Sequence, residues 1–243
     1  MARRNLAVTL AVLLSGLCLT CRARIYLVAA GVSDYPGTRN DLRLPAEDAR
    51  TIAWLYGKNS DAERVLLLNR QATSRNILSA MEGLFANAGT GDIVVLFFSG
   101  HGVRGGFRAY DTFISYAQVR QAMAKCRATS KIIFADACFS GKIRTAGEAD
   151  EEEEAEARKA SVMLFLSSRS NEMSLERSGM SNGMFTTYLQ KGLRGRADAN
   201  RDRTVTAKEL YEYVHERVVK DSGGRQHPVM WGNFSDTMPV MVW

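Results

Sequence analysis

Cysteine and long apolar runs are both scarce in this sequence. The 243 residues include four cysteines, and two of them, Cys18 and Cys21, lie near the N-terminus. If that segment is removed, only Cys126 and Cys138 remain, which excludes a disulfide framework. The apolar run over residues 6–20 is shorter than the roughly 20 residues that a membrane-spanning helix requires. We therefore expect neither a disulfide-stapled scaffold nor a stable membrane span.

The N-terminal segment has the layout of a secretory signal peptide. Arg3 and Arg4 give a basic start, the apolar run follows, and Cys21-Arg22-Ala23 loosely resembles a small-residue cleavage site. We predict that residues 1–23 are a signal peptide and that the protein is exported to the periplasm or the extracellular space. Lipidation of Cys21 is the less favoured alternative, because the residues before it match the lipoprotein pattern poorly.

The net charge of +6 does not by itself indicate a nucleic-acid-binding protein. Binding to nucleic acid requires basic residues that cluster on one face. Here the basic residues are scattered along the chain, and an acidic run at Glu151–Glu154 interrupts them. We therefore interpret the charges as solvated surface and expect no nucleic-acid partner.

Strand and helix patterns alternate along the chain, which has 46% hydrophobic residues and can bury one full core. The predicted strands are 24–30, 64–68, 92–99, 131–137 and 161–166. The predicted helices are 45–56, 73–86, 116–125, 183–193 and 206–219. Such alternation predicts an α/β fold with a mostly parallel sheet and helices on both faces. The tail beyond residue 219 shows no clear pattern.

One segment breaks the composition of the predicted domain, which we place at residues 24–243. Residues 142–160 hold the unbroken acidic run Glu151–Glu154 and few apolar residues, which is typical of a solvated loop. This loop separates a larger part, residues 24–141, from a smaller part, residues 161–243.

Two of the predicted strands lead into reactive side chains. The strand 92–99 leads into Gly100-His101-Gly102, and the strand 131–137 leads into Cys138. The carboxyl ends of parallel strands lie at one edge of a sheet, where ligands bind. An imidazole beside a thiol can accept its proton, which leaves a thiolate that attacks a carbonyl carbon. The sequence therefore predicts Cys138 as a nucleophile and His101 as its general base.

On these residues the sequence resembles the caspase-like superfamily of cysteine peptidases, peptidase family C14. The resemblance runs from residue 24 to about residue 219. Caspases carry Gln-Ala-Cys around the nucleophile, whereas this chain has Asp136-Ala137-Cys138. With an Asp two residues before the Cys, this chain resembles the bacterial metacaspase-like enzymes, or orthocaspases. Those enzymes prefer substrates with Arg or Lys before the scissile bond. The resemblance implies a three-layer caspase-like sandwich and an endopeptidase that requires no cofactor.

The resemblance also implies roles for further residues. The first substrate pocket would be formed by Asp136 and Asp48. Asp48 is the second residue of a Glu-Asp pair that matches an Asn-Asp pair in the relatives. Two carboxylates in one pocket suit a guanidinium or an ammonium group, so the implied partner is a peptide or protein with Arg or Lys before the scissile bond. The backbone N–H groups of Gly102 and Cys138 would form the oxyanion hole, and Ser168 would line the pocket. Relatives often cut themselves in the region that corresponds to residues 142–159.

Two alternatives remain open. The first is a catalytically silent caspase-like module that binds a basic peptide or a partner protein, because one fold serves many functions. The second is a protease gated by calcium, since a calcium-loop pattern of oxygen ligands is present at Asp198, Asn200, Asp202 and Glu209. However, Arg203 stands where such loops need a glycine, so a capping turn before the helix at Thr206 is the favoured interpretation.

Overall fold

The structure is a computed structural model that describes residues 23–103, 105–138, 162–168 and 181–243, apart from the side chains of Thr38 and Cys138. Within these residues the strands are β1 (Ile25–Gly31), β2 (Ala62–Leu68), β3 (Ile93–Val103), β4 (Gly106–Arg108), β5 (Phe113–Ser115), β6 (Ser130–Cys138), β7 (Val162–Leu166), β8 (Thr204–Thr206), β9 (Val229–Trp231) and β10 (Pro239–Val242). The α-helices are α1 (Pro45–Tyr56), α2 (Ser74–Phe85), α3 (Tyr116–Ala124), α4 (Met184–Lys191) and α5 (Ala207–Ser222).

A mostly parallel sheet forms the centre of the molecule, in the strand order β2-β1-β3-β6-β7-β9. The first five of these strands run parallel, and β9 pairs antiparallel with β7 at one edge. The short strands β4 and β5 form an antiparallel extension beside β3, while β8 and β10 pair separately. This arrangement confirms the predicted sheet and adds short strands that the sequence did not indicate.

The sheet is buried on both faces because its strands carry apolar side chains at successive positions. Along β1, Ile25 and Leu27 belong to one hydrophobic cluster, and Tyr26 and Val28 belong to another. Successive side chains of a strand point to opposite faces. Helices α1, α4 and α5 contribute residues to the first cluster, and α2 and α3 contribute to the second. The molecule is therefore a three-layer α/β sandwich, as predicted.

Local sequence signals determine where the helices begin and end. Pro45 occupies the first turn of α1, where its missing N–H group costs nothing. The hydroxyl of Thr73 accepts the backbone N–H of Asn76 at 3.2 Å and caps α2. Helix α5 ends at Gly223, which adopts a left-handed φ of 64°. Because α1 begins at Pro45, Asp48 lies in its first turn, at the end nearest the carboxyl ends of the strands.

Two predicted strands ended too early, and both lie at the candidate site. The parallel ladder between β3 and β6 extends to the pair of His101 with Cys138, and β3 continues to Val103 by pairing with β4. His101 and Cys138 are therefore strand residues, not loop residues. The tail beyond residue 219 completes α5 and contributes β9 and β10. None of the described helices combines the length and apolar character needed to cross a membrane.

Candidate active site

The register between β3 and β6 aligns the two residues predicted to carry out catalysis. Ser99 pairs with Asp136, and two positions later His101 pairs with Cys138. Both pairs lie at the carboxyl ends of their strands, which is the edge where ligands bind in parallel sheets. The backbone therefore brings together His101, Cys138 and Asp136, and their catalytic and binding roles stay predictions.

A backbone carbonyl determines which nitrogen of His101 carries a proton. The Nε2 atom lies 2.8 Å from the carbonyl oxygen of Asn40, in the segment between β1 and α1. A carbonyl oxygen only accepts hydrogen bonds, so Nε2 must donate and Nδ1 is left as an acceptor. His101 is partly exposed. The ring is thus held in the tautomer that can accept a proton at Nδ1.

Asp48 is buried at the same edge of the sheet. The Nδ2 group of Asn182 and the backbone N–H of Gly183 donate to its Oδ1 at 2.9 and 3.0 Å. The hydroxyl of Ser99 donates to its Oδ2 at 2.9 Å. Asp48 is 2% exposed. Three uncharged donors, two from the segment before α4 and one from β3, therefore hold this carboxylate in one orientation.

Asp136 is held in a similar way by the first turn of α4. The backbone N–H and the hydroxyl of Thr186 donate to its Oδ2 at 3.1 and 2.8 Å. Gly183 lies between the two carboxylates, since a Cβ at that position would lie 2.5 Å from Oδ2 of Asp136 and 3.4 Å from Oδ2 of Asp48. Asp48 and Asp136 thus lie close together at this edge of the sheet, and their role in binding substrate stays a prediction.

Burial and the neighbouring Asp136 change the protonation of Asp48. Burial, together with the negative charge of Asp136, raises the pKa of the Asp48 carboxyl to about 8. The hydrogen bonds from Asn182, Gly183 and Ser99 act in the opposite direction, because they favour the ionised form. At neutral pH the pair therefore retains a proton, and an incoming cation would favour its release.

Ser168 follows β7 at the same edge and is fully buried. Its neighbour Ser167 donates from its backbone N–H to the carbonyl of Ala135 at 2.9 Å, and from its hydroxyl to the carbonyl of Ala137 at 3.2 Å. The buried side chain of Gln226 donates to the carbonyl of Ser167 at 2.8 Å. These bonds fix the end of β7 beside β6, so Ser168 lies near the candidate site, and its contact with substrate stays a prediction.

The structure identifies residues at this site that the sequence interpretation missed. They are Tyr35, Asn40, Ser99, Asn182, Gly183 and Thr186. Tyr35 and Asn40 follow β1, whose carboxyl end lies at the same edge of the sheet, and this position was the available signal. The side chain of Cys138 and the predicted self-cleavage segment 142–159 lie outside the described residues.

The segment with the calcium-loop pattern forms hydrogen bonds within itself. The two carboxylate oxygens of Asp198 accept the backbone N–H groups of Asp202 and Arg203 at 3.2 and 3.1 Å. Arg203 adopts a left-handed φ of 69° at the position where calcium loops carry glycine. Glu209 caps α5 together with Thr206, as the favoured interpretation predicted. Among the described residues, no group of three or more His, Cys, Asp or Glu could hold a metal ion.

Known proteins share this architecture. A model of the caspase domain of peptidase family C14 matches residues 26–238. The chain belongs to this family.

Among solved structures, the caspase-domain chain is similar to a protein of Geobacter sulfurreducens, with a TM-score of 0.65 and 17% identity, over 90% of this chain and 97% of the other. It is also similar to caspase-1 of Spodoptera frugiperda, with a TM-score of 0.61 and 15% identity, over 88% and 87% of the two chains. At these identities the likeness shows a shared fold. No curated protein sequence matches significantly.

Proposed function

We propose that this caspase-family protein is a cysteine endopeptidase of the metacaspase-like type that cleaves after Arg or Lys. The register between β3 and β6 carries the proposal, because it pairs His101 with Cys138 and also pairs Ser99 with Asp136. His101 and Cys138 supply a base and a nucleophile. Ser99, the register partner of Asp136, donates its hydroxyl hydrogen bond to Asp48. The base and the nucleophile thus lie two residues along the strands from the two acids, Asp48 and Asp136.

The charge of the pocket supports a basic substrate residue. The donors that hold Asp48 and Asp136 in place include an amide, backbone N–H groups and hydroxyls. Neutral donors stabilise an ionised carboxylate but leave its negative charge in place. A guanidinium or an ammonium that enters the pocket would meet this charge in a buried setting, where screening by solvent and salt is weak.

The proposed reaction uses groups of this chain alone. Nδ1 of His101 accepts the thiol proton of Cys138, and the thiolate attacks the scissile carbonyl carbon. The backbone N–H groups of Gly102 and Cys138 stabilise the resulting oxyanion. The imidazolium then donates its proton to the leaving amine, and a thioester remains on Cys138. Water, deprotonated by His101, attacks the thioester and releases the carboxylic acid and the free thiol.

Cleavage of two matched fluorogenic peptides tests the proposal. One peptide ends in Arg and the other in Asp, and each is offered to the wild type and to the Cys138→Ala variant, with and without calcium. We expect turnover of the Arg peptide alone, and loss of that turnover in the variant. Cys126→Ala is the matched control, because Cys126 is a buried cysteine that has no role in the proposed reaction. This variant should retain activity.

The outcomes of this experiment separate the alternatives. Turnover of the Asp peptide would exclude the acidic pocket as the specificity site. Turnover only with calcium would favour the calcium-gated alternative. Binding of an Arg peptide without turnover, by folded protein under every condition, would identify a catalytically silent binding module and overturn the proposal.

Export and self-processing form part of the same proposal. We propose that residues 1–23 direct export, and that the enzyme can cut itself after Lys142, Arg144, Arg158 or Lys159. Mass spectrometry of the purified wild type should show fragments that end at these residues, and Cys138→Ala should show the uncut chain. An active wild type found only as uncut chain would contradict self-processing and leave the proposed peptidase activity intact.

A further inference from the structure

The segment between β1 and α1 holds His101 at two separate points. Its Asn40 carbonyl accepts the ring proton at Nε2, as described above. Its Tyr35 hydroxyl accepts the backbone N–H of His101 at 2.9 Å. The two rings also lie against each other, with their centroids 4.9 Å apart. One segment thus restrains both the backbone and the side chain of the predicted base.

The Tyr35 hydroxyl connects this segment with two strands. It accepts from His101 on β3 and donates to the carbonyl of Arg108 on β4 at 3.0 Å. Tyr35 is 2% exposed. Burial raises the pKa of its hydroxyl to about 12, so the hydroxyl keeps its proton at neutral pH. Without the hydroxyl, the backbone N–H of His101 and the carbonyl of Arg108 would both lose a partner in a partly buried setting.

The surrounding structure fixes the position of Tyr35. Its backbone N–H donates to Oδ1 of Asp41 at 3.0 Å. The segment closes on itself where the N–H of Leu42 donates to the carbonyl of Ser33 at 2.8 Å. Gly100 makes room for the hydroxyl, since a Cβ at that position would lie 2.7 Å from it. The hydroxyl therefore reaches His101 from a rigid support, which a positioning role requires.

We propose that Tyr35 is a positioning residue for His101: the Tyr35 hydroxyl holds the β3 backbone at His101 and so helps to fix the orientation of the imidazole ring. Tyr35 acts through His101 and is not itself a catalytic residue. This inference rests on the proposed peptidase function. Asn40 restrains the ring from one side, and Tyr35 restrains the backbone that carries the ring.

Removal of the hydroxyl alone gives a kinetic test. Tyr35→Phe should lower kcat by roughly tenfold, the rate change that corresponds to the net contribution of about one hydrogen bond. KM for the Arg peptide should stay unchanged, because the donors that hold Asp48 and Asp136 do not include Tyr35. Tyr26→Phe is the matched control, since Tyr26 is also buried and its hydroxyl donates to the carbonyl of Asn87.

A second readout does not depend on peptide turnover. The rate at which iodoacetamide alkylates Cys138 at neutral pH reports its thiolate fraction, which a paired imidazole increases. Peptide mass spectrometry measures this rate for each cysteine separately, and Cys126 serves as an internal reference. Both Tyr35→Phe and His101→Ala should slow the alkylation of Cys138, and neither should change the relative rate at Cys126.

Each outcome has one meaning. If alkylation of Cys138 is equally fast in the wild type and in His101→Ala, the Cys-His pair does not exist and the proposed function fails with it. If His101→Ala slows alkylation and Tyr35→Phe leaves both alkylation and kcat at wild-type values, the role of Tyr35 is refuted and the proposed function stands. If Tyr26→Phe lowers kcat as much as Tyr35→Phe does, the effect is a general loss of stability, which also refutes the positioning role.

Discussion

His101 on β3 and Cys138 on β6 are register partners in the parallel ladder at the centre of the sheet. The preceding pairs, from Ile93 with Ser130 onward, continue without a shift up to this one. Neighbouring strands lie about 4.8 Å apart, so the ladder itself determines how far apart the two backbones lie. Sites built on strands keep a more constant geometry than sites built on loops. The proposed pair therefore depends on the stability of the whole sheet.

Replacement of His101 tests the pair most directly. His101→Ala should lower kcat/KM for the Arg peptide by about a hundredfold to ten-thousandfold, the range typical of a lost general base. Cys138→Ala should abolish turnover. Thermal unfolding of His101→Ala should resemble that of the wild type, because the His101 side chain is partly exposed. Undiminished turnover by His101→Ala would exclude it as the base.

Replacement of the pocket carboxylates should change specificity and leave the reactive pair intact. Asp48→Asn and Asp136→Asn should each raise KM for the Arg peptide by roughly tenfold or more, because a charge-assisted bond contributes about 1.5–3 kcal/mol. Alkylation of Cys138 should be unaffected. Asp111→Asn is the control, since Asp111 is exposed and its Oδ1 accepts the N–H of Ser74. An equal change in KM in all three variants would contradict the pocket assignment.

The affinity for Arg substrates should depend on pH through Asp48. Its pKa is raised to about 8, so at neutral pH the carboxyl is largely protonated and must release a proton when a cation binds. KM should therefore decrease as the pH rises through about 8, and Asp48→Asn should abolish this dependence. A KM that is independent of pH in the wild type would show that Asp48 does not bind the substrate cation.

The sequence predicted the part of the site that depends on chain order and missed the part that depends on packing. His101, Cys138 and Asp136 end strands that alternate with helices, so the parallel-sheet rule alone placed them together. Asn182 and Thr186 lie far along the chain from Asp48 and reach the site only because α4 packs beside α1. No local pattern of residues encodes that contact. The continuation of β3 through Gly100 was missed because glycine usually weakens strands.

The same carboxyl affects the stability of the fold in a predictable direction. The pKa of Asp48 is raised from its ordinary value of 3.8 to about 8 in the folded protein. Between these values the folded protein holds a proton that the unfolded chain has released, so the free energy of unfolding should fall as the pH rises through this window. Urea denaturation across the window should show this decline, and Asp48→Asn should reduce it. An equal slope in both proteins would contradict the raised pKa.

The space at Gly183 gives the last prediction. Gly183 donates to Asp48, and a Cβ there would lie 2.5 Å from the Asp136 carboxylate, which Thr186 holds in place. Gly183→Ala should lower the free energy of unfolding by about 1–3 kcal/mol through overpacking, and it should raise KM for the Arg peptide.

Gly83→Ala is the control, because Gly83 lies exposed on α2 with nothing near its Cβ position. There the free energy of unfolding should rise by roughly 0.5–1 kcal/mol, since alanine is the better helix former. A Gly183→Ala variant that gains stability and keeps its KM would show that the two carboxylates can move apart, and the rigid two-acid pocket would have to be abandoned.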